Sequence, residues 1–329
     1  MLNAAIVGLG WWGRTILRTM AQSQEMRITV ATDIDPAMVS VQSEFGVRFV
    51  TDIDDILADP AIQVVILCTP HALHAQQIPR VAEFGKHVFC EKPLCLTRAD
   101  AQQAVAACRA RSVLLGVGHE RRFEPPIIAL RRMVEAGTLG TLLQIEANFS
   151  QDKFLSLPAD NWRLSPTASP AGPMTATAIH VLDLSISFLG PAKRVLVNVK
   201  QLASHMTNGD TLAMMIEFES GANALISAIL ATPFDGRFAV YGSKGWAEVR
   251  DKSHPETPQG WTLTQVLREG GRSVTDYPPV SSVRANLEAF AAAIVGRTPY
   301  PMPDDQKIGT VATLEAAFRS AASGEIETV

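Results

Sequence analysis

From residue 2 to about 118, short β-rich apolar runs alternate with longer stretches whose apolar residues recur every three or four positions. That alternation builds a buried parallel sheet covered by amphipathic helices. The expected strands are Ala4–Val7, Ile28–Thr32, Val64–Cys68, His87–Cys90 and Val113–Val117, with helices beginning near Gly13, Pro36, His74 and Thr97. Thr97 with Asp100 three residues on resembles a capping box. This half predicts a doubly wound α/β domain over residues 1–122.

Beyond residue 140 the period shortens toward two, in the runs Leu142–Ser150, Arg194–Lys200, Thr211–Phe218, Ala222–Ile229 and Arg237–Val249. Glu219-Ser220-Gly221 between two such runs reads as a hairpin turn, so an α+β domain with a mainly antiparallel open sheet is expected over 123–329. A last helix near Asp305–Ser323 could pack on either domain. Such a sheet leaves one face for a partner, which points to a homodimer or homotetramer through the second-domain sheet.

Composition narrows the function classes. The 329 residues carry 29 Lys and Arg against 33 Asp and Glu, a net charge of −4, so no global positive field exists to hold nucleic acid or a membrane surface. No apolar run is long enough to span a bilayer. The opening MLNAAIVGLG reads as a strand entering a glycine turn rather than as a signal segment. Cys68, Cys90, Cys95 and Cys108 form no Cys-x-x-Cys pair and no His set at metal spacing. Reduced thiols, no metal and a cytoplasmic location are expected.

Gly8, Gly10 and Gly13 form GLGWWG between the first strand and its helix. One glycine permits the tight turn, another lets a pyrophosphate approach the backbone, and the third lets helix meet strand closely. Asp33, 20 residues past Gly13, ends the second strand, where a carboxylate can accept both ribose hydroxyls of an adenosine. The same carboxylate repels a 2′-phosphate and Ile34 offers no guanidinium in its place, so NAD is preferred while NADP stays open. Trp11 and Trp12 are unusual in such a turn, and at least one is expected against the pyrophosphate edge or the second domain.

Two further stretches, CTPHALHAQQIPRVAEFGKHVFCEKPL at 68–94 and Asn161-Trp162-Arg163 with His180 and Asp183 after it, complete a pattern. With the glycine turn, this pattern resembles the Gfo/Idh/MocA family of nicotinamide-dependent oxidoreductases over essentially the whole chain. The resemblance implies a hydride transfer between nicotinamide and a carbinol or carbonyl carbon of a sugar, cyclitol or related small polar substrate, carboxylated ones included. It implies that Lys92 of Glu91-Lys92-Pro93 reaches the reacting oxygen, that Lys92–Pro93 is cis, and that Thr69, Pro70, His74 and Glu91 contribute to cofactor binding. An ammonium can donate to a carbonyl or alkoxide as charge grows on it, so the chemistry fits. For His74 a packing role is equally open.

In the second domain the resemblance implies that Trp162, Arg163, Thr177, His180 and Arg121 meet substrate and that His180 is the general base. An imidazole near its ordinary pKa of about 6.5 can take that proton at neutral pH. Ile179, Leu182, Ile186 and Leu189 make a core stripe, which leaves Ala176, His180, Asp183 and Ser187 on a neighbouring face, with Asp183 a candidate partner of the imidazole. The sequence departs from the family at Ala176, where an aspartate often stands one turn before the histidine. Arg122-Phe123 resembles an interface anchor. With the acid lost at Ala176, His119, Arg121 and Arg163 could favour an anionic substrate. Two alternatives remain: an internal hydride shuttle serving elimination or hydrolysis, and a non-catalytic dinucleotide-binding regulator.

Overall fold

Six short apolar runs pair side by side in the computed structural model, which describes residues 1–329. They are β1 (Leu2–Val7), β2 (Met26–Thr32), β3 (Arg48–Val50), β4 (Val64–Leu67), β5 (His87–Cys90) and β6 (Leu115–Val117). All are parallel, in the order β3-β2-β1-β4-β5-β6. The order reverses between β1 and β4, and ligands of open parallel sheets bind outside the carboxyl ends at such a switch. The crossovers are α1 (Trp11–Met20), α2 (Val41–Phe45), α3 (Ile53–Leu57), α4 (His74–Glu83) and α5 (Arg98–Ala110). Thr97 caps α5, accepting the Asp100 N–H at 3.1 Å and donating to the Asp100 carboxylate at 2.7 Å. Strand β3 and α3 were not expected, since so few residues display no period, whereas the helix expected near Pro36 is present as a short turn at Pro36–Ser40 running into α2.

The second sheet has nine strands. They are β7 (Leu142–Ser150), β8 (Ala192–Lys200), β9 (Thr211–Phe218), β10 (Asn223–Ile229), β11 (Asp235–Gly242), β12 (Gly245–Asp251), β13 (Trp261–Leu267), β14 (Gly271–Tyr277) and β15 (Glu327–Thr328). Every neighbouring pair is antiparallel except β7 with β10, which makes the sheet mixed. Gly221, at a φ of 85°, turns β9 into β10 as expected. The run Arg237–Val249 is broken by a tight turn at Ser243-Lys244 into β11 and β12. Helices α6 (Pro125–Glu135) and α7 (Ile179–Leu189) cover one face, where Ile145, Ala147 and Phe149 of β7 join Ile179, Leu182 and Ile186 of α7 in the core. On the other face Met215 and Leu225 are each 43% exposed.

The chain divides into Met1–Glu120 with Ser281–Ile308, and Arg121–Val280 with Gly309–Val329. Residues 281–308 therefore depart from the expected 123–329 domain. Helix α8 (Ser282–Ile294) places Leu287, Phe290 and Ala291 in the core of the first unit. Gly116 of β6 makes this packing feasible, because a Cβ there would come within 2.8 Å of both Phe290 and Phe89. Asn286 and Tyr300 donate to the Val117 carbonyl at 2.9 and 3.1 Å. In α9 (Asp304–Ser323) the first turn pairs Asp304 with Arg109, while Leu314, Ala316 and Ala317 belong to the second core.

Deleting the fully buried Phe290 ring removes apolar burial and leaves a void beside Gly116. Phe290→Ala is expected to lower stability by about 3–5 kcal/mol. Urea unfolding followed by far-UV circular dichroism measures this, and a loss under about 1 kcal/mol would contradict the assignment of α8 to the first core.

Candidate active site

The glycine turn leaves β1 with no room for a side chain at Gly8 or Gly13. Gly8 has a φ of 94°, and a Cβ on it would sit 2.7 Å from the Cys68 carbonyl oxygen. A Cβ on Gly13 would collide with the Gly8 carbonyl, whereas one on Gly10 would meet nothing within 4 Å. Two glycines thus serve packing, and Gly10 leaves backbone open on the side a pyrophosphate would approach. Helix α1 starts at Trp11, two residues earlier than expected, with no side chain capping its first N–H groups. Trp11 is 49% exposed at this helix start.

Asp33 follows β2 and is tied to the turn. Its carboxylate accepts the Leu9 N–H at 2.6 Å and the Asp35 N–H at 3.0 Å. The next short helix is capped by Asp35, which accepts from the Ala37 N–H at 2.9 Å, so Asp33 is spared that task. Ile34 is fully exposed. Open backbone at Gly10, uncapped N–H groups and a half-buried acid at the end of β2 fit an adenine dinucleotide.

Register carries Glu91 and Lys92 to the end of β5: the Glu91 N–H bonds the Leu67 carbonyl, and the Gly118 N–H bonds the Cys90 carbonyl. Glu91 is buried, and burial pushes its acid up to about 7 against the opposing pull of the Trp12 indole and the Lys92 charge. Gly118 is needed here, since a Cβ would lie 2.5 Å from the Glu91 carboxyl. The Lys92–Pro93 bond is cis. His74, fully buried, faces the Pro93 carbonyl with Nδ1 at 2.8 Å and the Thr69 carbonyl with Nε2 at 3.0 Å. Its ring thus joins the loops after β4 and β5, with both ring nitrogens turned to backbone carbonyls. Thr69 donates to Gln77 at 2.5 Å. Burial raises the thiols of all four cysteines, which are unpaired.

In the second unit, His180 stands in the first turn of α7, 6% exposed, its ring 5.4 Å from that of Phe149. The preceding turn, Met174–Ala178, is π-helical rather than α-helical, a distortion often found at functional sites. Thr177 lies in it, its hydroxyl bonded back to the Pro173 carbonyl at 3.3 Å. Ala176 packs against the apolar cluster of Phe154, Leu164, Met206 and Leu230, so this position faces hydrocarbon. Gly172 is retained for space, with Asn208 2.8 Å from a would-be Cβ. Arg163 stacks on Trp162 at 4.4 Å, with Asn161 capping their short helix.

Two expectations change. Asp183 is held by Arg122 in a buried bidentate pair at 2.6 and 2.7 Å, which assigns the acid to a structural ion pair. Arg121 is buried between Glu124 at 3.0 Å and Asp251 at 2.5 Å, and the Trp261 indole donates to Asp251 at 2.9 Å. Its charge is thus compensated within the protein. One Arg121 nitrogen, Nη1, is buried without a partner and remains a donor.

The sequence reading missed a group from the β12–β13 connection. His254 packs against Phe149 and Phe234, and Lys153 bonds both His254 at 3.0 Å and Glu256 at 2.8 Å. These residues lie 101 and 103 positions apart along the chain with no shared motif, so only the recurrence of His and Lys in turn segments could have hinted at them.

Residues 2–119 match the oxidoreductase family with an NAD-binding Rossmann fold, and residues 127–248 match the GFO/IDH/MocA C-terminal domain. The uncharacterized oxidoreductase YrbE of Bacillus subtilis (strain 168) is 30% identical over 276 residues, covering 80% of this chain and 78% of its own. The 1,5-anhydro-D-fructose reductase of Ensifer adhaerens is 28% identical over 96% of this chain and 98% of its own. The crystal structure of aldose-aldose oxidoreductase from Caulobacter crescentus complexed with glycerol superposes with a TM-score of 0.86 at 25% identity, over 100% of this chain and 99% of that one. With the glycine turn and Glu91-Lys92-Pro93 in place, the chain belongs to the GFO/IDH/MocA family and is an NAD(P)-dependent oxidoreductase.

Proposed function

We propose that the chain is a dehydrogenase or reductase acting at a carbinol or carbonyl carbon of a neutral sugar or cyclitol, with NAD preferred to NADP. The observation that carries this reading is Lys92 at the carboxyl end of β5, held through the Glu91 register and the His74 bridge beside the switch point of the parallel sheet. The nicotinamide, when bound, supplies the hydride acceptor or donor. Lys92 donates to the reacting oxygen, stabilising the negative charge that grows there. His180 takes or returns the hydroxyl proton. Gly8, Gly10 and Gly13 with Trp11 and Trp12 form the pyrophosphate seat, Asp33 accepts from the ribose, and Trp162, Arg163 and Thr177 border the substrate.

Neutrality of the substrate is supported by the compensated charge of Arg121. The exposed Met215 and Leu225 on the open face of the second sheet support a homo-oligomer joined there. Arg237 and Arg250, paired with Glu146, Glu248 and Asp235, flank that apolar strip with matched charges.

Three outcomes follow. Lys92→Ala is expected to lower kcat by about 10²- to 10⁴-fold while NADH affinity, read by fluorescence titration, stays within about threefold; retained turnover refutes the role. The wild type is expected to use NAD at least about tenfold better than NADP in kcat/KM, and Asp33→Ser with Ile34→Arg to reverse the order, because the acid repels the 2′-phosphate; equal use of both by the wild type contradicts the reading. Leu225→Arg is expected to give monomers in light scattering with the circular dichroism spectrum unchanged, whereas an unaltered mass excludes that face as the interface.

A further inference from the structure

His254 is an imidazole whose hydrogen-bonding state the surroundings dictate. Lysine has only donors, so the 3.0 Å contact from Lys153 Nζ makes Nδ1 an acceptor, and the Glu256 backbone N–H reaches the same atom at 3.3 Å. Burial, with the charges of Lys153 and Arg121, pushes the imidazole down to about 3, so the ring is neutral at physiological pH. With Nδ1 accepting, the single proton sits on Nε2. That Nε2–H is buried and meets no partner.

An unpaired buried donor is costly, so its presence in a folded chain calls for a partner that it can meet. Nothing in the loop is loose enough to make the orientation accidental. The Thr257 N–H bonds the His254 carbonyl at 3.0 Å, Lys252 pairs with Gly260 at 3.0 Å, and Phe149 and Phe234 hold the ring at centroid distances of 5.9 and 5.5 Å. Phe149 also touches His180 at 5.4 Å, so one phenyl ring carries both imidazoles. Two residues beyond Phe149 in the chain, Gln151 is buried and its Oε1 is likewise without a partner. An unsatisfied donor and an unsatisfied acceptor are the complement of a hydroxyl group, which both accepts and donates.

We propose that His254 is a specificity-determining residue of the substrate site, its Nε2–H donating to a hydroxyl oxygen of a neutral polyol or sugar. The assignment rests on the dehydrogenase reading above and extends it. The charges around the ring exclude an acidic group as the occupant: Lys153 is paired with Glu256, and Arg121 with Glu124 and Asp251, so no net cation is left to neutralise a carboxylate. A site that offers such a donor discriminates strongly against analogues lacking the oxygen, because binding them leaves the donor buried and unpaired.

The test uses the NAD-loaded enzyme with D-glucose, D-xylose and myo-inositol as probes. His254→Phe keeps the ring volume and removes the donor, and His254→Gln keeps a donor. For whichever probe is turned over best, His254→Phe is expected to raise KM at least tenfold with kcat changed less than threefold, and His254→Gln to recover most of that loss. KM within twofold of wild type in His254→Phe overturns the proposal, as does equal loss in both variants, which would mean the imidazole only fills space between Phe149 and Phe234. Calorimetric titration of the same probes into the NADH-loaded proteins separates this idea from the one beneath it. Binding weakened tenfold in His254→Phe without turnover in wild type sinks the dehydrogenase reading and sustains His254. Binding equal in both, or absent from both, overturns the role of His254.

Discussion

The close approach of the Gly8–Gly13 turn to the loop after β4 is the constraint on which the rest of the first unit depends. A side chain at Gly8 would strike the Cys68 carbonyl, and one at Gly13 would strike the Gly8 carbonyl. Because neither exists, α1 begins three residues past β1 with no side chain capping its start, and the Leu9 N–H can reach Asp33. The acid that would meet the ribose and the amides that would meet the phosphates are therefore positioned by one packing contact. Neighbouring strands extend the same logic, since Glu91 enters its buried position by pairing with β4 and is admitted there only because residue 118 has no side chain.

The second unit solves a different problem, that of burying charge. Arg121 and Arg122 are adjacent and almost wholly buried, yet each finds its own carboxylates: Glu124 and Asp251 for one, Asp183 for the other. Breaking such a pair leaves an uncompensated buried ion, so these contacts hold the start of this unit to α7 and to β12 with little tolerance. Their consequence for function is subtraction. The Arg121 and Arg122 guanidinium groups are spent internally, and the ring beside His180 is that of Phe149, itself packed against Phe234 and His254.

Much of the parallel half was readable because its signals are local. Gly8, Gly10 and Gly13, the Thr97 cap and the apolar runs of β1, β2, β4 and β5 each declare themselves within a few residues, and GLGWWG followed by Asp33 names the ligand class through elementary sterics and charge. The antiparallel half was readable at β7, β9 and β10, where alternation is long and Gly221 marks the turn. It blurred where β11 and β12 run together, and it failed for β13, where alternation is clear only over Trp261–Leu263, and for β14, whose exposed residues carry little hydrophobic pattern.

The sequence by itself determined the nucleotide turn, the acid at residue 33, the Glu91-Lys92-Pro93 element and the two-part grammar of the chain, since covalent neighbours suffice to specify them. Only tertiary structure decided the partner of each charged or imidazole side chain. Asp183 went to Arg122, His74 to two carbonyls, Ala176 to an apolar cluster, and Lys153 to a histidine 101 residues away. A short polar side chain pairs with whatever packing brings within about 3 Å, and sequence distance carries no record of that meeting.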